Sequence, residues 1–270
     1  MVNQKAVIDA HCHIYPDMIA EKAANATGNF YGGKPACSGT VNQLIQKCEK
    51  CGIDRCIVQS VATTPHQVKS INEFIARKVS LHPDILTGFG TLHPDSGDIR
   101  GDLNHLIDLG LKGVKLHPDI QGFKIDDYRC LKIYELCEEK GIPILMHTGD
   151  KRYDFSNPNR LIPILEIYSN LTIIGAHFGG YTIWDEASKE ICSSNKLNNF
   201  YVDCSSSLAF LTPEKAKEII LRYGADRGLF GTDYPMNDPE NELKLFFNLS
   251  LSESEQKMIL SENAKRILKL

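Results

Sequence analysis

Short apolar runs rich in β-branched residues recur along the chain, and each is followed by a stretch whose apolar positions repeat at helical spacing. The runs read AVIDAHCHI, RCIVQSVA, ILTGFGTLHP, LKGVKLHP, IPILMHTG, LTIIGAHFGG, FYVDCSSS and RGLFGTDYP, with helical patterns such as DDYRCLKIYELCEEKG and NRLIPILEIYS between them. Thr40, Asp126, Asn157 and Thr212 stand where N-caps belong, Pro213 suits a first helical turn, and Gly52, Gly110, Gly141 and Gly224 close helices. Strands alternating with helices pair in parallel through right-handed crossovers. Eight such units nearly fill the 270 residues, close to the roughly 250 typical of a closed (β/α)8 barrel. No G-x-G-x-x-G follows the first strand to favour an open dinucleotide-binding sheet. The pattern predicts an α/β fold of one domain over residues 1–270, a (β/α)8 TIM barrel. Residues 16–39, rich in Gly, Asn, Pro and Ala, are the one long irregular stretch. With Phe30, Tyr31, Gly32 and Gly33, they are expected to form a lid or substrate loop over the barrel mouth.

Composition acts by exclusion. A formal net charge of −4 and the lack of a dense Lys/Arg block give nucleic acid no electrostatic handle. No apolar run approaches the ~20 residues a membrane span needs, and the N-terminus lacks a signal-peptide pattern. These features predict a cytoplasmic protein whose partner is a small-molecule substrate. The nine cysteines are scattered. Cys48 and Cys51 form a C-x-x-C near the end of a helix closed by Gly52, the wrong end for lowering a thiol pKa. No second C-x-x-C completes a zinc ribbon, so the cysteines read as half-buried thiols in a reducing compartment.

Barrel chemistry sits at the C-terminal ends of the strands. Here those ends carry His11 and His13, Lys115 and His117, His147, His177, and Asp233, whereas His82 and His105 fall before a strand and within a helix. Strand alternation sends His11 and His13 into the mouth with Asp9 beneath them, and turns Cys12 toward the helices with Ile8 and Ala10. The same parity pairs Lys115 with His117 and turns Val114 and Leu116 outward. His11, His13, His147 and Asp233 together offer three imidazoles and a carboxylate, a set that suits a divalent ion such as Zn²⁺ with a position left for water. Arg152, Tyr153, Tyr181, Trp184, Pro235 and Met236 follow strand ends and are expected to border the pocket. His66 and His93 end the second and third units and read as peripheral.

The ordered motifs IDAHCH, GVKLHPDIQGF, ILMHTG, IGAHFGG and GTDYP, with the closing SENAKRILKL, resemble the amidohydrolase superfamily of metal-dependent barrels over essentially the whole chain. Within it the chain looks like the amidohydrolase-related branch, which includes aminocarboxymuconate-semialdehyde decarboxylase, resorcylate decarboxylases and lactone hydrolases. The resemblance implies metal ligation by His11, His13, His147 and Asp233, with Asp233 also handling the proton of an attacking water. It implies that His177 is an acid/base or water-orienting residue in one-ion members and a ligand in two-ion relatives. Lys115 resembles the position that two-ion members carbamylate as a bridge. One ion is favoured, and Lys115 is then a cation for a substrate carboxylate, with His117 beside it as a substrate contact. Family members are often dimers, so a homodimer is compatible with the resemblance.

The leading expectation is hydrolysis of a C–O or C–N bond in a lactone, ester or amide by metal-activated water, with Asp233 as general base then acid and His177 as stabiliser. The alternative is non-oxidative decarboxylation of a small unsaturated or aromatic acid on the same site. Lys115, His117, Arg152, Tyr153 and Trp184 would then supply the cationic clamp and stacking surfaces. A metal-stabilised binding or structural barrel is a third reading, which gains nothing from the sequence because a structural ion needs no ligand set spread over five strand ends with an open position.

Overall fold

The computed structural model describes residues 6–270. Nine short strands run in chain order: β1 Ile8–His13, β2 Arg55–Gln59, β3 Leu86–Gly88, β4 Gly90–Thr91, β5 Val114–Leu116, β6 Ile144–Met146, β7 Ile173–Gly175, β8 Phe200–Asp203 and β9 Gly228–Leu229. Sequential neighbours pair in parallel throughout both sheets, β1-β2-β3 and β4 to β9. β3 and β4 are one strand interrupted at Phe89. The Phe89 N–H donates to the Val58 carbonyl and the Gly90 N–H to that of Gly113, both at 2.9 Å, which hands the strand from one neighbour to the other. The ring closes where Ala10 N–H donates to Phe230 O (2.9 Å), Asp233 N–H to His11 O (2.8 Å) and His13 N–H to Tyr234 O (2.6 Å). This is the expected eight-unit barrel.

Two apolar layers hold it. Ile8, Ala10, Ile57, Phe89, Leu145 and Ile174 pack in one cluster that fills the barrel. A larger cluster, including Cys12, Leu44, Val114, Leu116 and Met146, lies between the strands and the surrounding helices. Membership in these clusters corrects the parity expected of the first strand. Ile8 and Ala10 face the barrel interior, and Asp9 lies on the outer side, where it can share a cluster of ligand-type atoms with Cys12 and Cys56. The register between β1 and β2 shifts between Asp9 and Cys12, a β-bulge that inserts one residue and resets the alternation. Beyond the bulge His11 and His13 line the mouth and Cys12 joins the helix layer, as alternation counted from that end requires.

Helix boundaries follow local chemistry. Thr40, Asn157 and Thr212 accept hydrogen bonds from Gln43, Asn159 and Lys215 N–H groups as N-caps. Asp126 instead pairs with Arg160 (2.9 Å), and its neighbour Asp127 caps the short turn Tyr128–Cys130. The expected loop at 16–39 contains a helix, α1, Ala20–Tyr31, that no capping side chain announces and that Gly32 ends in a left-handed conformation. After it come α2, Val41–Cys51, and α3, Val68–Leu81. Among the described residues no helix is long and apolar enough to cross a membrane.

Candidate active site

His11 and His13 end β1 with their Nε2 atoms 3.2 Å apart, and Asp233 Oδ1 lies 3.5 Å from the first and 3.6 Å from the second. Asp233 sits in the turn after β9 with a φ of 62°, left-handed backbone that a non-glycine residue adopts only where its surroundings enforce it. Its second oxygen accepts from the Ser206 hydroxyl at 2.6 Å. His11 Nδ1 donates to Asp203 Oδ2 at the end of β8 (2.9 Å), so His11 Nε2 carries the lone pair. The strands approach closely here: a Cβ on Gly231 would lie 3.0 Å from that of His11.

A second pair of rings is fixed by carbonyls. His177 Nδ1 faces Ser205 O at 2.9 Å, and His147 Nε2 faces Gly149 O at 3.0 Å. A carbonyl only accepts, so both of these nitrogens hold protons. In neutral rings His177 Nε2 and His147 Nδ1 then meet as lone pairs, 3.1 Å apart, an arrangement that calls for a proton or a cation. Burial, followed by the charges of the neighbouring imidazoles and Lys115, pushes the pKa of His13, His117 and His147 well below the usual histidine value. Burial lowers that of His177 as well, against the pull of Asp233. Neutral imidazoles are the metal-binding form. His11, His13 and Asp233 bring their ligand atoms within 4.8 Å of one another, whereas His147 groups in that way with His117 and Asp119. The imidazole lone pairs of His11 and His13 and the Asp233 carboxylate oxygen have the chemistry a divalent ion takes, and His147 stands in the neighbouring group.

Lys115 is fully buried, with Nζ 3.0 Å from His11 Nε2. Burial pulls its pKa down to about 8, against the carboxylates of Asp203 and Asp233. His117 stacks on His147 with centroids 3.9 Å apart, accepts from Ile120 N–H at Nδ1, and presents Nε2 to the Tyr31 hydroxyl at 2.6 Å. Tyr31 arrives from the end of α1, so the helix lies across the mouth. A cavity of about 610 Å³ connects His11, His13, Lys115, His117, His147, His177 and Asp233. A smaller one, about 260 Å³, opens on the other side of Tyr31 beside His177 and Asp233, bordered by Tyr181 and Met236.

Three expected substrate contacts serve other ends. Arg152 grips Asp150 with two nitrogens (3.0 and 2.6 Å) and donates to the Phe30 carbonyl at 2.6 Å, so its charge is spent on holding α1. Tyr153 stacks on Phe30 at 5.3 Å and is 40% exposed. Trp184 packs against Tyr181 and Phe210, 6.0 Å from each. None of the three lines either cavity. His66 is exposed in the turn Pro65–Gln67, and His93 accepts from Asp95 N–H away from the cavities.

Residues 8–270 match the model of a family described as amidohydrolase. The chain belongs to the amidohydrolase family. Its place within the family is the aminocarboxymuconate-semialdehyde decarboxylase-like branch that the motifs implied. This amidohydrolase is 25% identical over 241 residues to a 2-amino-3-carboxymuconate-6-semialdehyde decarboxylase from Dictyostelium discoideum, covering 74% of the chain and 66% of that relative, just under two thirds of its length. It is 24% identical over 268 residues to a gamma-resorcylate decarboxylase from a Polaromonas species, covering 79% of the chain and 80% of the relative. Among solved structures, an uncharacterised TIM-barrel protein from Bordetella bronchiseptica superposes with a TM-score of 0.81 at 22% identity, covering 98% of each chain. A dihydroxybenzoic acid decarboxylase from Polaromonas sp. JS666, solved with manganese and 2-nitroresorcinol bound, gives 0.75 at 17% identity, covering 99% of this chain and 98% of that one. Both structural likenesses show the shared fold.

The expected hydrolysis of a lactone, ester or amide is corrected by these relatives, which are named as decarboxylases. The physical reason for the error is that a metal-ligand set at a barrel rim serves either reaction, so the motif does not choose between them. The amidohydrolase site also contains residues the sequence reading passed over. Asp203 ends β8 in FYVDCSSS, the position at which other strands supplied candidates, so strand-end polarity was the signal available for it. Burial alone would raise its carboxyl pKa, but the imidazoles of His11 and His177 and the Ser205 hydroxyl outweigh that and hold it below the usual range. Asp119 follows His117, with its carboxylate 3.7 Å from His147 Nε2 and 2.5 Å from the Ser156 hydroxyl. Burial pushes its pKa up to about 6.

Proposed function

We propose that this amidohydrolase is a metal-dependent, non-oxidative decarboxylase of a small aromatic or unsaturated acid. The observation that carries the reading is that both curated relatives are decarboxylases. His11, His13, His147 and Asp233 are assigned to one divalent ion, Zn²⁺ or Mn²⁺. The zinc reading rests on the donor chemistry, and manganese is favoured by the ion in the Polaromonas structure. The nine free thiols suit a reducing, cytoplasmic setting.

A bound ion would supply positive charge that draws and holds the acid's oxygen atoms. The protein's own residues do the rest. His177 takes a proton from solvent at Nε2 and gives it to the carbon bearing the carboxylate. The carbon–carbon bond then breaks, its electron pair returns to the ring or double bond, and the carboxylate leaves as carbon dioxide. No oxidant is needed. The Ser205 carbonyl holds His177 at Nδ1, so the opposite nitrogen is the one aimed into the cavity. Lys115 offers a cation for the acid, and Tyr31 and His117 give a hydrogen-bonding and stacking wall.

Metal-loaded protein offered a panel of carboxyl-¹³C hydroxybenzoates and unsaturated acids should release ¹³CO₂, and His177→Asn should lose that release while still binding metal. Full release by His177→Asn would remove it from the proton-donor role.

A further inference from the structure

The main cavity continues past the histidines as a groove between α1 and α3. α1 and its N-cap Ile19 line it with Ala23, Ala26 and Phe30, and α3 and its N-cap Gln67 with Ser70, Ile71, Phe74 and Arg77, at the three- and four-residue spacing of one helical face. From Gln67 to Arg77 the α3 stripe covers about 15 Å at 1.5 Å rise per residue. The walls are largely apolar, and Ile19 is left 49% exposed along the edge. Arg77 stands at the far end, exposed. Of the chain's arginines it alone has no hydrogen bond or ion pair at its guanidinium among the described residues. Arg55, Arg227 and Arg266 bind carbonyls, and Arg100, Arg129, Arg152, Arg160 and Arg222 bind carboxylates.

A volume of about 610 Å³ falls in the roughly 300–1,000 Å³ range that encloses drug-sized ligands. A monocyclic acid seated at the histidines would occupy only its inner part and leave the apolar groove to water. We propose that the acid handled here carries an extended apolar arm ending in a second anionic group: the arm lies between α1 and α3, and Arg77 receives the distal anion. The proposal rests on the decarboxylase reading only for the reacting end of the molecule.

The test is calorimetric titration of the manganese-loaded full chain with 2,6-dihydroxybenzoate and with the same acid bearing a carboxypentyl arm opposite its carboxylate. The readout is the ratio of the two affinities, with carbon dioxide release scored separately and circular dichroism checking each variant's fold. The arm should tighten binding about tenfold or more, the equivalent of burying two methylenes. Ala23→Phe, which fills the groove, should bring the ratio near unity, and Arg77→Ala should lower it about threefold, less so in high salt. An armed acid that does not bind, binds no tighter than its parent, or keeps its advantage in both folded variants overturns the proposal. Carbon dioxide from the parent acid without an advantage for the arm would sink the groove and leave the decarboxylase reading intact. A groove-dependent advantage without carbon dioxide from any acid would do the reverse.

Discussion

Asp203 accepts four hydrogen bonds, and Asp203→Asn disturbs them in a way that the structure makes calculable. Oδ2 takes the proton of His11 Nδ1 at 2.9 Å. Oδ1 takes the His177 N–H at 3.1 Å, the Ser205 N–H at 3.0 Å and the Ser205 hydroxyl at 2.5 Å. An asparagine has one acceptor oxygen and must choose a side. If the oxygen faces His11, the amide group meets two buried backbone N–H groups that lose their acceptor, at about 1–3 kcal/mol each. The total is then about 2–6 kcal/mol, and at roughly 2–4 °C per kcal/mol the metal-free protein should melt several degrees lower. If the oxygen faces the backbone, the amide forces His11 to take its proton at Nε2, which removes the lone pair from the metal side. Loss of such a partner typically costs about 10–100-fold in metal affinity. Melting of metal-free protein and manganese titration against a competing chelator read the two branches. Asp203 has a depressed folded-state pKa, so its contribution is complete above the unfolded value near about 4 and is lost as the pH falls below it. The gap between variant and parent should narrow in acid. A variant that melts within about 1 °C of the parent and binds manganese within about twofold would refute the reasoning.

Two further perturbations test the surroundings of the site. Glu242, on the helix Pro239–Phe247, is buried, has an unpartnered carboxylate oxygen, and is pushed up to about 8 by burial and then by Asp233 and Asp9. The folded state therefore holds a proton that the unfolded state releases, and stability declines as pH rises from about 4.5 to about 8. Glu242→Gln should flatten that decline and gain on the order of 3 kcal/mol at pH 7, at about 1.4 kcal/mol per pKa unit, read by denaturant melts at several pH values. A pH dependence as steep as the parent's would refute it. Arg152→Ala frees the end of α1 and should speed hydrogen exchange in residues 20–31 by about tenfold, from lost bonds worth about 1–2 kcal/mol. Unchanged exchange there would show that α1 is held by other contacts.

Legibility in the sequence depended on range. Strand runs, glycine C-caps and three of the four proposed N-caps are short-range signals, and they lie where the sequence placed them. α1 was hidden because Ile19 at its N-cap offers no capping oxygen and glycine and asparagine dilute its pattern. The parity of Asp9 failed because a bulge is set by pairing with β2, which no local pattern in IDAHCH reveals. Asp203 belongs to the site through partners 26 and 192 residues away, and Arg152 leaves it because Asp150 and the Phe30 carbonyl claim its donors. Histidine type and strand-end position made the rest readable: His11, His13, Lys115, His117, His147, His177 and Asp233 line one cavity.

The central claim, decarboxylation with proton delivery to carbon, is tested most directly by one labelling measurement. An accepted acid is turned over by the metal-loaded protein in D₂O enriched in ¹⁸O, and the product is read by mass spectrometry and NMR. The account predicts one deuterium on the carbon that carried the carboxylate, one carbon dioxide per turnover, and no ¹⁸O in the organic product. A product that gains ¹⁸O and keeps its carboxylate would contradict it.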